Sequence, residues 1–269
     1  QLAFVLMNLP GLTRLDHPDR TDPDHAVADL LWFPTGGGKT EAYLGLAAYV
    51  MGMRRLQGEV AGRPGQYGVA VLMRYTLRLL TLQQFQRAAA LICACEKIRI
   101  ESANRGDLRW GTEPFRLGLW VGQKTTPNWT EDADHWVSHK RGNRAPPHGT
   151  GSPLQITHCP WCGQRIDAAR NLEVERDKKK RGRTFLFCGD RLGNCPFSKR
   201  NAPDEGIPLA VVDEEIYRRR PSIVIATVDK FAQMPWNGAV QMLFGQVTGR
   251  CTRHGFVSPE LPDAASHPR

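Results

Sequence analysis

The sequence lacks any apolar run of about 18 residues, the length that a transmembrane helix requires, so we expect no membrane partner. It also lacks a signal-peptide pattern and begins at Gln1 rather than at Met, so we expect a piece of a longer protein. Seven cysteines are an odd number, and four of them follow a metal-like spacing. This pattern favours a reducing cytoplasm over a disulfide framework. The sequence contains no internal repeat.

The composition is typical of a globular protein, since 41% of the residues are hydrophobic and 23% are charged. At 269 residues the chain can hold one large domain with an ample core. The excess of 36 Lys and Arg over 27 Asp and Glu gives a net charge of +9, which favours a polyanionic partner. A generally basic surface without such a partner explains the charge equally well.

A glycine-rich stretch near the start has the chemistry of phosphate binding: Phe33-Pro34-Thr35-Gly36-Gly37-Gly38-Lys39-Thr40. Three consecutive glycines let backbone N–H groups converge on an anion, because no Cβ blocks the approach. Lys39 can reach the β- and γ-phosphates of ATP and the Thr40 hydroxyl can ligate Mg²⁺, so these two are the catalytic candidates. The general pattern has Gly or Ala where Phe33 stands, and a plain glycine-rich turn is the alternative. The predicted nucleotide-binding set is Thr35, Gly36, Gly37, Gly38, Lys39 and Thr40.

Apolar runs of strand length alternate with helical patterns along much of the chain. The predicted strands are residues 28–33, 69–73, 117–121, 209–212 and 222–227. Predicted helices cover residues 40–50, directly after the glycine-rich stretch, and residues 77–98. This alternation predicts an α/β fold with a mainly parallel sheet, in which the phosphates lie at a helix N-terminus.

Changes in composition divide the chain into four predicted segments. Residues 1–123 form the first segment of the α/β domain, and residues 124–155, which are polar and without periodicity, form a connecting loop. Residues 156–200 contain four cysteines and form a small insertion. Residues 201–269 return to the α/β pattern as the second segment of the domain.

The insertion contains the predicted metal ligands Cys159, Cys162, Cys188 and Cys195. Tetrahedral Zn²⁺ takes four soft ligands, and a CxxC turn places two thiolates on one ion. The 25 residues between the two cysteine pairs can hold a β-hairpin, so the pattern is similar to that of a zinc ribbon. Four thiolates leave no open position, so we expect the ion to be structural rather than catalytic. Four reduced core cysteines are the alternative.

The remaining cysteines and one basic run give weaker indications. Cys93 and Cys95 are about 200° apart around a helix, so they are expected to be packing residues. Cys251 and His254 form a CxxH pair that belongs either to a plain loop or to a metal site completed beyond the chain. The basic run at residues 178–183 either touches phosphates or is a solvated turn.

Four segments, taken in order, resemble motifs of superfamily 2 helicases. Residues 33–40 resemble motif I of the RecQ type, which tolerates a bulky residue at Phe33, and residues 75–84 resemble motif Ia. Residues 118–122 resemble the small glycine motif. Residues 223–231 resemble motif Ib, with Thr227 and Lys230 at its Thr-x-x-Lys positions. With the cysteine insertion before Thr227, these segments resemble the large helicase of DISARM-type bacterial anti-phage systems over most of the chain.

This resemblance implies the N-terminal RecA-like P-loop domain of an ATP-dependent helicase or translocase, interrupted by the zinc-ribbon-like insertion. ATP, Mg²⁺ and a structural Zn²⁺ would be its cofactors. Its partners would be a second RecA-like domain of the full-length protein and nucleic acid, DNA rather than RNA. Arg78, Thr227 and Lys230 would contact the nucleic acid mainly through phosphates. The piece alone is expected to be inactive.

One acidic triplet, Asp213-Glu214-Glu215, follows an apolar run as a Walker B box does. In superfamily 2 helicases, however, the Asp-Glu box follows motif Ib, whereas this triplet precedes it. We therefore interpret the triplet as an exposed acidic turn, with the true box beyond Arg269. The alternative for the whole chain is a nucleic-acid- or protein-binding zinc module on a P-loop ATPase of another class.

Overall fold

A computed structural model describes residues 2–24, 28–32, 38–76, 78–145, 148–177 and 181–261, with residues 78–80 as backbone only. The helices in these ranges are α1 (Leu2–Thr13), α2 (Pro18–Thr21), α3 (Lys39–Leu56), α4 (Arg78–Asn104), α5 (Thr130–Lys140), α6 (Ala168–Asn171), α7 (Asp213–Arg219), α8 (Val228–Gln233) and the 3₁₀ helices Met234–Trp236 and Gly238–Phe244. The strands are β1 (Glu59–Val60), β2 (Arg63–Pro64), β3 (Val71–Tyr75), β4 (Leu117–Trp120), β5 (Leu172–Arg176), β6 (Gly182–Leu186), β7 (Leu209–Ala210), β8 (Ile223–Thr227), β9 (Gly249–Cys251) and β10 (Gly255–Val257). Each of these helices is too short or too polar to span a bilayer.

The central sheet has four parallel strands in the order β3-β8-β4-β7. Strand β8 lies between two neighbours and pairs with β3 on one side and with β4 on the other. All five residues of β8 are buried, which accounts for the run of four apolar residues from Ile223 to Ala226. The predicted α/β class with a mainly parallel sheet is therefore confirmed.

The two faces of the sheet enter two separate apolar clusters. Ile223 and Ile225 of β8 pack into one cluster with side chains of α3 and α4. Val224 and Ala226 pack into the other with side chains of α7 and the second 3₁₀ helix. Successive side chains of a strand point to opposite faces, so helices cover the sheet on both sides. Cys93 of α4 is fully buried in the first cluster, as expected for a packing residue.

The segment at residues 124–155, which was predicted to be a loop, contains helix α5. This helix packs against the hairpin of β5 and β6 and buries Thr130, Ala133 and Val137. These three side chains are small or partly polar, so they give the sequence little apolar periodicity. The loop prediction is wrong for the residues of α5.

The buried strand predicted at residues 28–33 is not formed in its described part, residues 28–32. Leu30 and Trp32 are 84% and 80% exposed. An apolar run becomes a strand only where another strand can satisfy its backbone hydrogen bonds. Among the described residues, β3 is an edge strand of the parallel sheet and pairs only with β8. The prediction of a buried strand is therefore wrong for these residues.

Candidate functional site

The carboxyl ends of β3, β8 and β4 lie at one edge of the parallel sheet. Tyr75 is the register partner of Thr227, and Trp120 is the partner of Ala226. The segments that resemble motif Ia, motif Ib and the glycine motif therefore emerge side by side. In open parallel sheets this is the edge at which ligands bind.

The last two residues of the glycine-rich stretch are the first two residues of helix α3. Gly38 precedes the helix with φ 71°, a left-handed conformation that glycine adopts without strain. Lys39 and Thr40 are the first two residues of the helix, where unpaired backbone N–H groups and the helix dipole favour an anion. The other predicted phosphate-binding residues, Thr35, Gly36 and Gly37, lie outside the described residues.

Two interactions relate the start of α3 to the end of β3 and to α4. Tyr43, in the second turn of α3, lies near Tyr75 at the end of β3, and the pKa of Tyr75 is raised by burial and further by this neighbour. Glu41 forms an ion pair with Arg87, which joins the first turn of α3 to α4. The first two turns of α3 therefore lie beside the end of β3 and beside α4, the helix that follows it.

The three predicted nucleic-acid contacts differ in how the structure places them. Arg78 begins α4, and its side chain lies outside the described part of the chain. Thr227 ends β8 and is 4% exposed, and Lys230 of α8 is 9% exposed. The Nζ atom of Lys230 lies 2.5 Å from Oδ2 of Asp213. Binding of phosphate by Lys230 stays a prediction, and it would require this ion pair to open.

The acidic triplet Asp213-Glu214-Glu215 opens helix α7 and is buried, with exposures of 5%, 5% and 4%. The predicted exposed turn is therefore wrong. Acidic side chains at a helix N-terminus are stabilised by the helix dipole, but burial of three in a row requires specific partners.

Each carboxylate of the triplet has a partner from a different segment of the chain. The partners are the Lys230 ammonium of α8 for Asp213, the Thr130 backbone N–H and hydroxyl of α5 for Glu214, and the Thr184 backbone N–H of β6 for Glu215. Arg218 also donates to Glu214 from within α7. The triplet thus joins the sheet, the connecting segment and the cysteine insertion.

The position of the triplet in the sheet also separates it from the candidate nucleotide site. It follows β7, which is the edge strand at the opposite end of the sheet from β3. Helix α3 packs against β3, so β8 and β4 lie between the triplet and that helix. This arrangement favours a structural role for Asp213 and Glu214 over a Walker B role.

We expect Glu215→Gln to flatten the dependence of stability on pH. Burial raises the pKa of Glu215 to about 7, against the opposing effects of the Thr184 N–H and Arg183. Because the raised pKa favours the protonated form in the folded state, its stabilising effect is complete below the ordinary pKa of 4.5 and is lost as pH rises through about 7. A glutamine stays neutral and can still accept from Thr184. The variant should therefore gain stability relative to the parent, on the order of 2–3 kcal/mol by pH 8.

Urea unfolding of parent and variant between pH 5 and pH 8 measures this difference. Protonation of the cysteine thiolates changes the stability of both proteins by the same amount, so it cancels in the difference between them. Glu59→Gln is the matched control, because Glu59 is exposed. A constant free-energy difference between Glu215→Gln and the parent over this range would contradict the expectation.

The four predicted metal ligands Cys159, Cys162, Cys188 and Cys195 meet in one cluster, with all Sγ atoms within 4.8 Å of one another. The Sγ atoms of Cys159 and Cys195 are 3.9 Å apart, and those of Cys162 and Cys188 are 3.3 Å apart. A tetrahedral Zn–S distance of about 2.3 Å separates its sulfurs by about 3.8 Å. The cluster could therefore hold a zinc ion. The structure brings together the four cysteines that the sequence predicted as ligands, and their binding of zinc stays a prediction.

Strands β5 and β6 form an antiparallel hairpin between the two cysteine pairs, where the sequence left room for one. The CxxC turn contains Gly163 with φ 75°, and the backbone N–H of Gly163 donates to the carbonyl of Cys159. His158 forms an isolated bridge with Arg165 and is not one of the clustered ligands. It lies beside the four-cysteine cluster, as expected for a neighbour rather than a ligand.

Asp190 organises the second cysteine pair, and sequence reasoning missed it. Its Oδ2 atom accepts from the backbone N–H groups of Asn194 and Cys195, at 2.7 and 2.8 Å. Its own N–H points at Sγ of Cys188, 3.4 Å away. The backbone N–H of Cys195 is the main cause of the lowered pKa of Asp190. An aspartate inside a loop bounded by cysteines was the available indication, because aspartates often cap such turns.

The described part of the basic run is held by internal ion pairs. Arg181 donates to Asp177 at 2.6 Å, and Arg183 donates to Glu205 at 2.9 Å. Residues 178–180 lie outside the described ranges. Contact of this run with phosphate stays a prediction.

No protein-family model matches the chain. The chain is 40% identical, over 99% of its length, to the DISARM protein DrmA of Bacillus paralicheniformis. It spans only 22% of the length of that protein. The resemblance expected from the helicase-like motifs and the cysteine insertion is confirmed, and the chain is similar to about a fifth of DrmA.

Proposed function

We propose that this chain is the first, RecA-like motor domain of a superfamily 2 DNA helicase or translocase that acts in bacterial anti-phage defence in the cytoplasm. ATP·Mg²⁺ would bind at residues 35–40, and a structural zinc ion would hold the insertion at residues 156–200. The similarity to DrmA over nearly the whole chain supports the biological context of this proposal. The activity of the intact protein is part of the proposal, because the chain spans 22% of that relative.

One observation carries the biochemical part of the proposal. The segments that resemble motif Ia, motif Ib and the glycine motif leave the same edge of a parallel sheet, and Tyr43 in the second turn of α3 lies near Tyr75, where the first of them begins. A motor that couples ATP to a nucleic-acid strand requires such proximity. A glycine-rich turn of purely structural use would not require it.

The chemistry of this half-site is binding and positioning. Backbone N–H groups at the start of α3 would hold the phosphates, Lys39 would neutralise the β- and γ-phosphates, and Thr40 would ligate Mg²⁺. Asp213 and Glu214 follow the edge strand β7 and are held by Lys230 and Thr130. We therefore assign the carboxylates for Mg²⁺ and for the attacking water to other parts of the protein, with an arginine finger from a second RecA-like domain.

Lys39→Ala tests the proposal through ATP affinity. A charged lysine–phosphate contact contributes about 1.5–3 kcal/mol, so Kd for ATP·Mg²⁺ should rise roughly ten- to hundredfold. Titration of a fluorescent ATP analogue into the zinc-loaded chain measures this change. The control is Lys199→Ala, which removes a 63% exposed lysine paired with Glu173 in the insertion.

Two outcomes would contradict the proposal. Equal ATP affinity for the parent and for Lys39→Ala would show that Lys39 does not bind the nucleotide, against the proposed site. Rapid ATP turnover by this chain alone would show that Asp213 and Glu214 complete the catalytic site, against the division of roles proposed here.

A further inference from the structure

A turn with the spacing of metal ligands lies near the end of the described chain, in the sequence Cys251-Thr252-Arg253-His254-Gly255. It has the same spacing as the CxxC turn that ends in Gly163: two ligand-type residues separated by two others and followed directly by glycine. Both glycines adopt positive φ, 75° at Gly163 and 99° at Gly255. A Cβ at Gly255 would fall 2.4 Å from the carbonyl oxygen of Arg218, so this tight turn requires glycine.

The hairpin of β9 and β10 places the two ligand atoms at the distance that a shared ion requires. Cys251 and Gly255 are register partners across the hairpin, and the turn between them brings Sγ of Cys251 to 3.5 Å from Nδ1 of His254. Tetrahedral zinc with a Zn–S distance of about 2.3 Å and a Zn–N distance of about 2.0 Å separates sulfur and nitrogen by about 3.5 Å. The separation of the two atoms therefore matches that of a sulfur and a nitrogen ligand on one ion.

A carboxylate lies close to the imidazole on its other side. Nε2 of His254 lies 3.6 Å from Oδ2 of Asp177, and Arg181 holds the same carboxylate at 2.6 Å. Histidine ligands of metal ions usually present their second nitrogen to a carboxylate, which fixes the tautomer and directs the lone pair of the first nitrogen at the ion. His254 is 5% exposed, whereas Cys251 is only partly buried, so an ion would enter from the cysteine side.

We propose that Cys251 and His254 form a second zinc-type site, separate from the four-cysteine cluster. Within the described ranges, no third His, Cys, Asp or Glu joins the pair at ligand distance. The ion therefore keeps open positions, which water fills in this chain, and its affinity is lower than that of the four-cysteine cluster. A thiolate–imidazolium pair that acts as a nucleophile has a similar atomic arrangement, so the experiment must distinguish the two.

Protection of Cys251 from alkylation tests the site. The chain, with its four-cysteine cluster loaded with zinc, is treated with iodoacetamide in excess Zn²⁺ or Mg²⁺, and peptide mass spectrometry follows each cysteine. Zn²⁺ should slow alkylation of Cys251 by at least about tenfold, since the thiolate that attacks the reagent is the one that binds the ion. Cys95, which is partly buried on α4, is the internal control. It should be alkylated at the same rate in Zn²⁺ and in Mg²⁺.

A second measurement does not depend on a buried variant. Co²⁺ added to the zinc-loaded chain should give a thiolate-to-cobalt charge-transfer band, and Cys251→Ser should abolish it. Equal alkylation of Cys251 in Zn²⁺ and Mg²⁺, or equal protection of Cys95, would overturn the proposal. Fast alkylation of Cys251 that needs His254 but ignores Zn²⁺ would also overturn it and would indicate a reactive cysteine–histidine pair.

Discussion

Replacing Cys162 with serine should release the zinc ion and unfold the cysteine insertion. Cys162 is the exposed member of the four-cysteine cluster, so its side chain contributes little apolar burial. If its only role were packing, the substitution would change the free energy of unfolding by about 0.5 kcal/mol or less. If it is a ligand, the substitution removes part of a zinc-binding energy that reaches roughly 10–16 kcal/mol in small zinc domains. Because Cys162 is exposed, a large loss of stability in Cys162→Ser would indicate that it binds the ion rather than that it packs in the core.

The loss should extend beyond the insertion. Cys159, Cys188 and Cys195 belong to the same apolar cluster as α4 and the central strands β4 and β8, so release of the ion exposes one side of that cluster. We expect the melting temperature of the whole chain to fall by more than 10 °C, since a loss of about 1 kcal/mol already lowers it by roughly 2–4 °C in a chain of this size.

Zinc content by elemental analysis and thermal unfolding by circular dichroism measure the two effects. The parent should hold about one tightly bound zinc per four-cysteine cluster. Cys95→Ser is the matched control, because Cys95 is a partly buried non-ligand on α4. A Cys162→Ser protein that keeps both its zinc and its melting temperature would show that the four thiols do not form a metal site.

The sequence predicted the elements whose determinants are local. The apolar runs now in β3, β4 and β8 are contiguous and short, and they alternate with helical patterns, so strand type and parallel direction could both be inferred. The cysteine cluster was equally predictable, because ligand chemistry constrains residue type and spacing together.

The predictions that failed depend on partners distant in sequence. Residues 28–32 have the same apolar character as the true strands, but no described strand pairs with them. Composition alone predicts that the acidic triplet is exposed. In the folded chain it is stabilised by partners 17, 31 and 84 residues away, which are Lys230, Thr184 and Thr130. Pairing over such separations leaves no periodic pattern in a single sequence. The proximity of His254 to Asp177 was hidden for the same reason.

Arg116→Met should destabilise the chain by about 3–5 kcal/mol, the cost of leaving buried charges without their partner. Arg116 is 5% exposed. Its Nε and Nη2 atoms donate to the two carboxylate oxygens of Glu205 at 2.5 and 2.8 Å, and Nη1 donates to Glu113 at 2.5 Å. Methionine fills much of the same volume but pairs with neither carboxylate. Two other partners remain, Arg183 for Glu205 and Arg250 for Glu113. Each of them compensates only part of the charge and hydrogen-bonding capacity of its carboxylate.

The network joins four separate parts of the chain, so its loss should lower the stability of the whole chain. Arg116 directly precedes β4, Arg183 lies on β6 of the insertion, and Arg250 lies on β9. Glu205 lies in the connection that returns from the insertion to β7. Removal of the central guanidinium therefore loosens the insertion from the sheet.

The pH dependence provides a readout that a simple packing defect would not change. Burial opposes ionisation of Glu205, but Arg116 and then Arg183 outweigh it and lower its pKa to about 2. A lowered pKa in the folded state gives stability that is present above the ordinary value of 4.5 and is lost as pH falls toward 2. Arg116→Met should weaken this acid-dependent loss, because the pKa of Glu205 moves back toward its ordinary value.

Urea unfolding at pH 7 and at pH 4 compares the parent with Arg116→Met and with the double variant Arg116→Met/Glu205→Gln. The double variant should recover part of the loss at pH 7, because a neutral amide costs less to bury than an unpaired carboxylate. Arg109→Met is the control, since Arg109 forms an ion pair with Asp107 at 63% exposure and should cost about 0–1 kcal/mol. A cost for Arg116→Met within the range of this control, or a double variant no more stable than the single one, would show that the buried network does not join the insertion to the sheet.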